Sequence, residues 1–146
     1  MKNLFRFTIL FVLLLSLSAC GSSQEETNPA AVIEAADALF NAKDVDGFLA
    51  LYAEDAVVKN GRGLFYGRED TRDLTTAAMD AFSIDCGNYL VYGNEVSYEC
   101  LETFFSDGRL QGERYDAIIV DGKIQVEILA EKFVPQKEFK IDSTLP

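Results

Sequence analysis

The stretch FNAKDVDGFLALYAEDAVV, residues 40–58, changes its structural period twice. Phe40 closes an apolar stripe with Val32, Ile33, Ala36 and Leu39, which recur at helical spacing. Asn28-Pro29 opens that helix, a capping Asn followed by Pro at the first helical position. Lys43-Asp44 breaks the stripe, and Asp44 is placed to cap a second helix with Val45, Phe48, Leu49 and Tyr52 as its buried face. After Asp55 a short strand is expected at Ala56-Val57-Val58.

Working outward, Gly61 and Gly63 punctuate a loop before a second short strand, Leu64-Phe65-Tyr66. Gly67 precedes a third helix over about 69–81, with Leu74, Ala77, Ala78 and Ala81 on its inner side. From Phe82 the pattern is that of strands, over about 82–91, 95–106, 109–120 and 123–133. Their turns are Gly93-Asn94, Asp107-Gly108 and Asp121-Gly122, and Asp-Gly between apolar runs is a strong hairpin signal. Helices leading into a four-stranded antiparallel meander define an α+β chain. Residues 135–146 show no period and form a C-terminal tail.

This order is similar to that of the NTF2-like superfamily, in particular its SnoaL-like branch, over residues 29–134. The resemblance is carried by Phe40-Asn41-Ala42-Lys43-Asp44-Val45-Asp46-Gly47-Phe48 and by Leu51-Tyr52-Ala53-Glu54-Asp55-Ala56-Val57. Tyr66-Gly67-Arg68-Glu69 and Asp121-Gly122-Lys123-Ile124 complete it. It implies a cone: three N-terminal helices packed in a curved antiparallel sheet, with a pocket at the open end. The superfamily serves enzymes, binding modules and adaptors alike, so fold does not settle function. Steroid isomerases of this fold use a Tyr in the first helix and an Asp base after the first strand. Those positions fall here on Ala36 and Asn60. Ala has no donor and Asn cannot take a proton near neutral pH, so that reaction is not expected.

The N-terminus resembles that of a bacterial lipoprotein. Lys2 and Arg6 precede an apolar run, Phe7 to Leu17, and Leu17-Ser18-Ala19-Cys20 matches a lipobox. The run is short for a spanning helix, which takes roughly 20 residues. Residues 1–19 therefore read as a signal peptide and Cys20 as the lipidated first residue. Residues 20–28 read as a polar tether. The expected location is the cell envelope, outside the cytoplasm. Gly21 rather than Asp after the Cys points to the outer membrane in a two-membrane host.

Removal of residues 1–19 leaves 11 basic against 24 acidic residues, a net charge of −13. Such a surface repels phosphate backbones and anionic lipid headgroups, which argues against nucleic-acid partners and leaves anchoring to the lipid. The chain has no His, so imidazole catalysis and the commonest zinc sites are excluded, and no metal or other cofactor is expected. With Cys20 assigned to lipid, Cys86 and Cys100 form an even pair in an exported chain and read as a disulfide. A three-residue loop at Tyr92-Gly93-Asn94, or a bulge at Gly87, would bring the two opposite each other.

Two-residue turns predict a continuous inward face of Val96, Tyr98, Cys100, Tyr115, Ala117, Ile119, Ile124, Val126 and Ile128. Towards the other end that face carries Glu102, Gln111, Glu113 and Lys132, with Glu102 directly opposite Glu113. Opposed carboxylates on an inward face form a candidate acid/base pair, unless the strands leave the core there or a bulge flips their parity. Phe40, Tyr52, Phe65, Phe82, Tyr98 and Tyr115 are candidate pocket aromatics, with Asn60 and Glu102 as polar groups. Either they line a ligand site or they are core.

Three functions follow. The first is a lipid-anchored domain that binds a small apolar molecule or an envelope partner without catalysis. The second is an isomerase, dehydratase or cyclase using Glu102 and Glu113. The third is an adaptor docking through its outer sheet face, as in a homodimer.

Overall fold

The computed structural model describes residues 28–135. The expected signal peptide 1–19, the lipidation candidate Cys20, the expected tether as far as residue 27 and the segment from residue 136 lie outside the described residues. The described residues start with α1 (Pro29–Asn41), where the Asn28 Oδ1 accepts from the Ala30 N–H at 3.1 Å. Its stop is the expected one. Lys43 takes a left-handed φ of 58°, and the Lys43 and Asp44 N–H groups close back on the Phe40 and Leu39 carbonyls. Asp44 then caps α2 (Val45–Ala50) through the Gly47 N–H at 2.9 Å.

A hairpin of β1 (Tyr52–Asn60) and β2 (Gly63–Tyr66) follows. A 3-10 turn, Arg68–Thr71, leads into α3 (Arg72–Ala81). The meander is β3 (Phe82–Tyr92), β4 (Glu95–Phe104), β5 (Leu110–Val120) and β6 (Lys123–Phe133). All six strands form one sheet in the order β2-β1-β6-β5-β4-β3. It is mixed, because β1 runs parallel to β6 while every other pair is antiparallel. The expectation of an antiparallel sheet is corrected by that one parallel pair, whereas the third helix follows the first two strands in the order read from the sequence. The helix–hairpin–helix order puts α3 after β2, and it returns the first hairpin to the sheet alongside β6.

The core lies where α1 crosses the concave sheet face. Val96, Ala117, Ile119 and Ile124 pack there against Val32 and Ile33, all nearly or fully buried. Tyr52 is buried as expected but begins β1 instead of ending α2, which is only six residues long. Thr71 at the end of the 3-10 turn and Thr75 and Met79 on α3 are buried. The expected inner set Leu74, Ala77, Ala78 and Ala81 faces open space instead of packed side chains.

Strand β3 is an edge, and α1 covers part of it. The Asn41 side chain both donates to the Ile84 carbonyl (2.7 Å) and accepts from its N–H (3.0 Å). Asp37 Oδ2 accepts from the Cys86 N–H at 3.2 Å. A helix thus satisfies backbone groups that would otherwise template pairing with another chain. Burial outweighs those bonds at Asp37 and raises its carboxyl above the usual range.

Two register details decide what faces inward. Cys86 lies opposite Cys100 with Cα atoms 4.0 Å apart, and the two form a disulfide. The turn at Gly93-Asn94 holds two residues. A bulge between Gly87 and Leu90, with Asn88 at a φ of 55°, supplies the offset. The β4–β5 turn is longer than two residues, running from Phe104 to Leu110. The Gly108 N–H bonds the Phe104 carbonyl, and Asp107 accepts from the Arg109 N–H. The register slides by two. Tyr98 pairs with Tyr115, Cys100 with Glu113 and Glu102 with Gln111. An even slide keeps every side chain on its expected face.

On β6 the face does change. Extra residues at Gln125 and Ala130 open two bulges against β5. The first puts Glu127 opposite the buried Ala117 and moves Val126 and Ile128 off the inward face, Ile128 to 38% exposed. Both had been expected in the core. The second restores parity, so Lys132 comes opposite Glu113.

Candidate functional site

The concave sheet face and the three helices enclose a cavity of about 440 Å³. Its inner end is formed by Ile33 and Tyr52, with Tyr98 and Glu127. Its outer end is formed by Phe104, Gln111 and Lys132, with the β1–β2 turn. One side is small and apolar, because α3 presents Leu74, Ala77, Ala78 and Ala81 to it. Another is an arc of rings in sequence. Tyr52 meets Phe48 at 5.3 Å, Phe48 meets Phe40 at 5.8 Å, Phe40 stacks on Phe82 at 5.6 Å, and Phe82 meets Phe104 at 5.2 Å.

The polar groups form two clusters. In the inner one, Glu127 accepts hydrogen bonds from the Tyr52 hydroxyl (2.8 Å) and the Tyr98 hydroxyl. Burial pushes the Glu127 carboxyl up, and the two phenol donors hold it back. Both phenols are themselves raised by burial and by the Glu127 charge, so they remain donors at physiological pH. Tyr98 stacks on Tyr115 at 5.5 Å, which links this cluster to the next.

In the outer cluster, the Gln111 side-chain amide donates to both Glu102 Oε2 and Glu113 Oε1, each at 3.0 Å. Glu113 also accepts from the Tyr115 hydroxyl and binds Lys132 Nζ at 2.5 Å. Both carboxylates are buried, Glu102 to 7% exposed and Glu113 to 4%. Burial, then the neighbouring Glu113, push the Glu102 carboxyl up to about 7, against the pull of Lys132. A carboxyl at that value exchanges its proton near neutral pH.

The structure brings Tyr52, Asn60, Phe82, Tyr98, Glu102, Glu113 and Tyr115 to the wall of this one cavity. Phe40 joins them, but Phe65 packs on the core instead. Glu102 and Glu113 are neighbours, though not directly opposed as a two-residue turn would have them. Asn60 is turned to a local task, accepting from the Arg62 N–H at 2.9 Å. Ala36 also lies on the wall and offers no donor. Sequence reasoning missed Glu127, Phe48 and Phe104. Glu127 alternates with Val126 and Ile128 and reads as outward unless the bulge is known. By spacing alone, Phe48 belongs to the buried face of α2. Among the described residues no three acidic or cysteine side chains converge to hold a metal, and no helix is long and apolar enough to cross a membrane.

The profile of the SnoaL-like domain matches residues 32–124. The chain belongs to the SnoaL-like family. Solved structures agree on its NTF2-like, cystatin-like fold. A protein of unknown function with a cystatin-like fold from Methylobium petroleophilum superposes with a TM-score of 0.67 at 14% identity. That match covers 79% of this chain and 82% of the other. An uncharacterised cystatin-fold protein from Novosphingobium aromaticivorans gives 0.62 at 21% identity, over 72% and 99%. A candidate polyketide cyclase from Pseudomonas putida gives 0.58 at 18% identity, over 75% and 92%. At these identities the likeness is one of fold. No curated protein matches the chain.

Proposed function

We propose that this SnoaL-like domain binds a small, largely apolar molecule in its cavity, and that lipid on Cys20 holds it in the cell envelope. The observation that carries the binding reading is the cavity. The cone is hollow, with an aromatic arc on one wall and a few converging polar groups, the usual composition of a small-molecule site. A filled cone would have favoured an adaptor. The anchor rests on the lipobox resemblance at Leu17-Ser18-Ala19-Cys20. Native mass spectrometry of the chain purified from its own host tests the first half, with a retained small-molecule mass expected. A bare mass, together with no thermal shift from apolar compounds of fitting size, would refute it. Radiolabelled palmitate tests the second half. Incorporation is expected in the wild type and lost in Cys20→Ser, and an unlabelled wild type would sink the anchor.

One observation favours a second reading, acid/base catalysis of isomerisation, dehydration or cyclisation in the same cavity. Glu102, with its carboxyl near 7, is placed to give or take a proton beside a bound molecule. The likeness to candidate polyketide cyclases is compatible with this. Turnover of a substrate found in the cavity should collapse in Glu102→Gln, and unchanged turnover would end this reading.

A further inference from the structure

The polar wall has a shortage of donors at one atom. Four acids line the cavity, Asp37, Glu102, Glu113 and Glu127, against two bases, Arg62 and Lys132. Three of the acids are well served. Asp37 accepts from Asn41 and the Cys86 N–H, and Glu127 from two tyrosines. Glu113 accepts from Gln111, Tyr115 and Lys132. Glu102 is different. It is 7% exposed, yet only Oε2 receives a bond, from Gln111. No donor reaches Oε1 and no cation lies within 4 Å among the described residues. Among the described residues no fully buried side-chain N or O lacks a partner, so this unpaired oxygen keeps contact with solvent, where a ligand donor can replace water. When protonated, Glu102 shares a hydrogen bond with Glu113 instead.

Resting on the reading of this cavity as a small-molecule site, we infer that its ligand carries an ammonium group on an apolar body, with the cation directed to Glu102 Oε1. The ammonium supplies the missing hydrogen bond and offsets the excess of negative charge. Carboxylate ligands are repelled by the same excess. The apolar body lies along the Phe40, Phe82 and Phe104 rings, whose faces also attract cations. One protein cation already uses that preference at the mouth, where the Arg109 guanidinium sits 4.1 Å from the Phe104 ring centre. Binding is coupled to a proton, because the ammonium favours ionised Glu102. The charged and titratable groups around Glu102 are Glu113 on β5, Lys132 on β6, Arg109 on the β4–β5 turn, Arg62 on the β1–β2 turn and Asp37 on α1. Lys132 is engaged by Glu113, which leaves Glu102 to the ligand.

Calorimetry on the full chain with three probes of one shape tests this: 2-phenylethylammonium, 2-phenylethanol and 3-phenylpropionate. The ammonium should bind at least about tenfold tighter than the alcohol near pH 7.5, about 1.4 kcal/mol, and the carboxylate weakest. Raising the pH from about 5.5 to 8 should tighten the ammonium and leave the alcohol unchanged. Glu102→Gln should erase the preference for the ammonium while retaining the alcohol. The wild-type pH series stands alone should that variant fold poorly. An alcohol that binds as tightly as the ammonium overturns the inference and leaves the cavity reading intact. If none of the three binds at millimolar concentration, both fail.

Discussion

The inward faces of β4 and β5 are one surface with two unlike ends. At one end Val96, Ala117 and Ile119 are 1–4% exposed and packed under α1 with Ile124 and Ile33. At the other, Glu113, Glu102 and Gln111 continue the same face, two to three inward positions on, and border empty volume. The backbone is equally regular in both. The difference is that apolar side chains gain by closing on one another, whereas carboxylates need donors and room. Placing polar residues inward at one end is what keeps the cone from filling. The helices repeat the division. Ile33 on α1 is buried at the closed end, while α3 offers alanines to the open one.

The largest expected effect is at the closed end. Ile124 is fully buried, and Ile124→Ala should cost about 2–5 kcal/mol in urea unfolding, whereas Ala78→Val, on the cavity wall, should cost under about 1 kcal/mol. Equal losses would mean the open end is packed as tightly as the closed one. Next is the staple joining β3 to β4. Replacing both Cys86 and Cys100 with Ser removes a cross-link 14 residues apart and should cost about 3 kcal/mol by the same assay.

Smaller, and opposite in sign, is Glu102→Gln. The folded carboxyl titrates at about 7, above its unfolded value. Its favourable contribution is thus present in acid and lost as pH rises through about 7. Gln should leave stability near pH 4.5 almost unchanged and raise it by roughly 1–2 kcal/mol near pH 8, allowing for solvent at the cavity mouth. Thermal melts across that range check it, and destabilisation at pH 8 would mean that the charge is needed for folding. The smallest effect belongs to the outer face. Arg114, 45% exposed, bridges Glu99 (2.7 Å) and Glu131 (3.1 Å). Arg114→Ala should cost under about 1 kcal/mol and fade further in salt.

Much of this division was legible beforehand. The alternation of Val96, Tyr98, Cys100 and Glu102 is a local property of one strand. It survived a turn of the wrong length, because the resulting slide was even. Four of the seven pocket candidates, Tyr98, Glu102, Glu113 and Tyr115, reach the cavity wall for the same reason. What was not legible came from pairing. Gln125 and Ala130 carry no bulge signature of their own, yet the first reverses the parity of Val126, Glu127 and Ile128. It brings in the carboxylate around which Tyr52 and Tyr98 are arranged. Nor does any local pattern say that β1 lies parallel to β6, since the two are far apart in the chain.

By itself, the sequence determined the order of helices and strands (though not where β1 begins), which faces of β4 and β5 turn inward, and that Cys86 can meet Cys100. Those are consequences of period, caps and turn residues, whose interactions are local. Only the tertiary structure decided the mixed sheet, the bulges of β6 and the hollow at the open end. Each depends on how distant strands share hydrogen bonds, and on whether the side chains they bring together prefer one another or a space between.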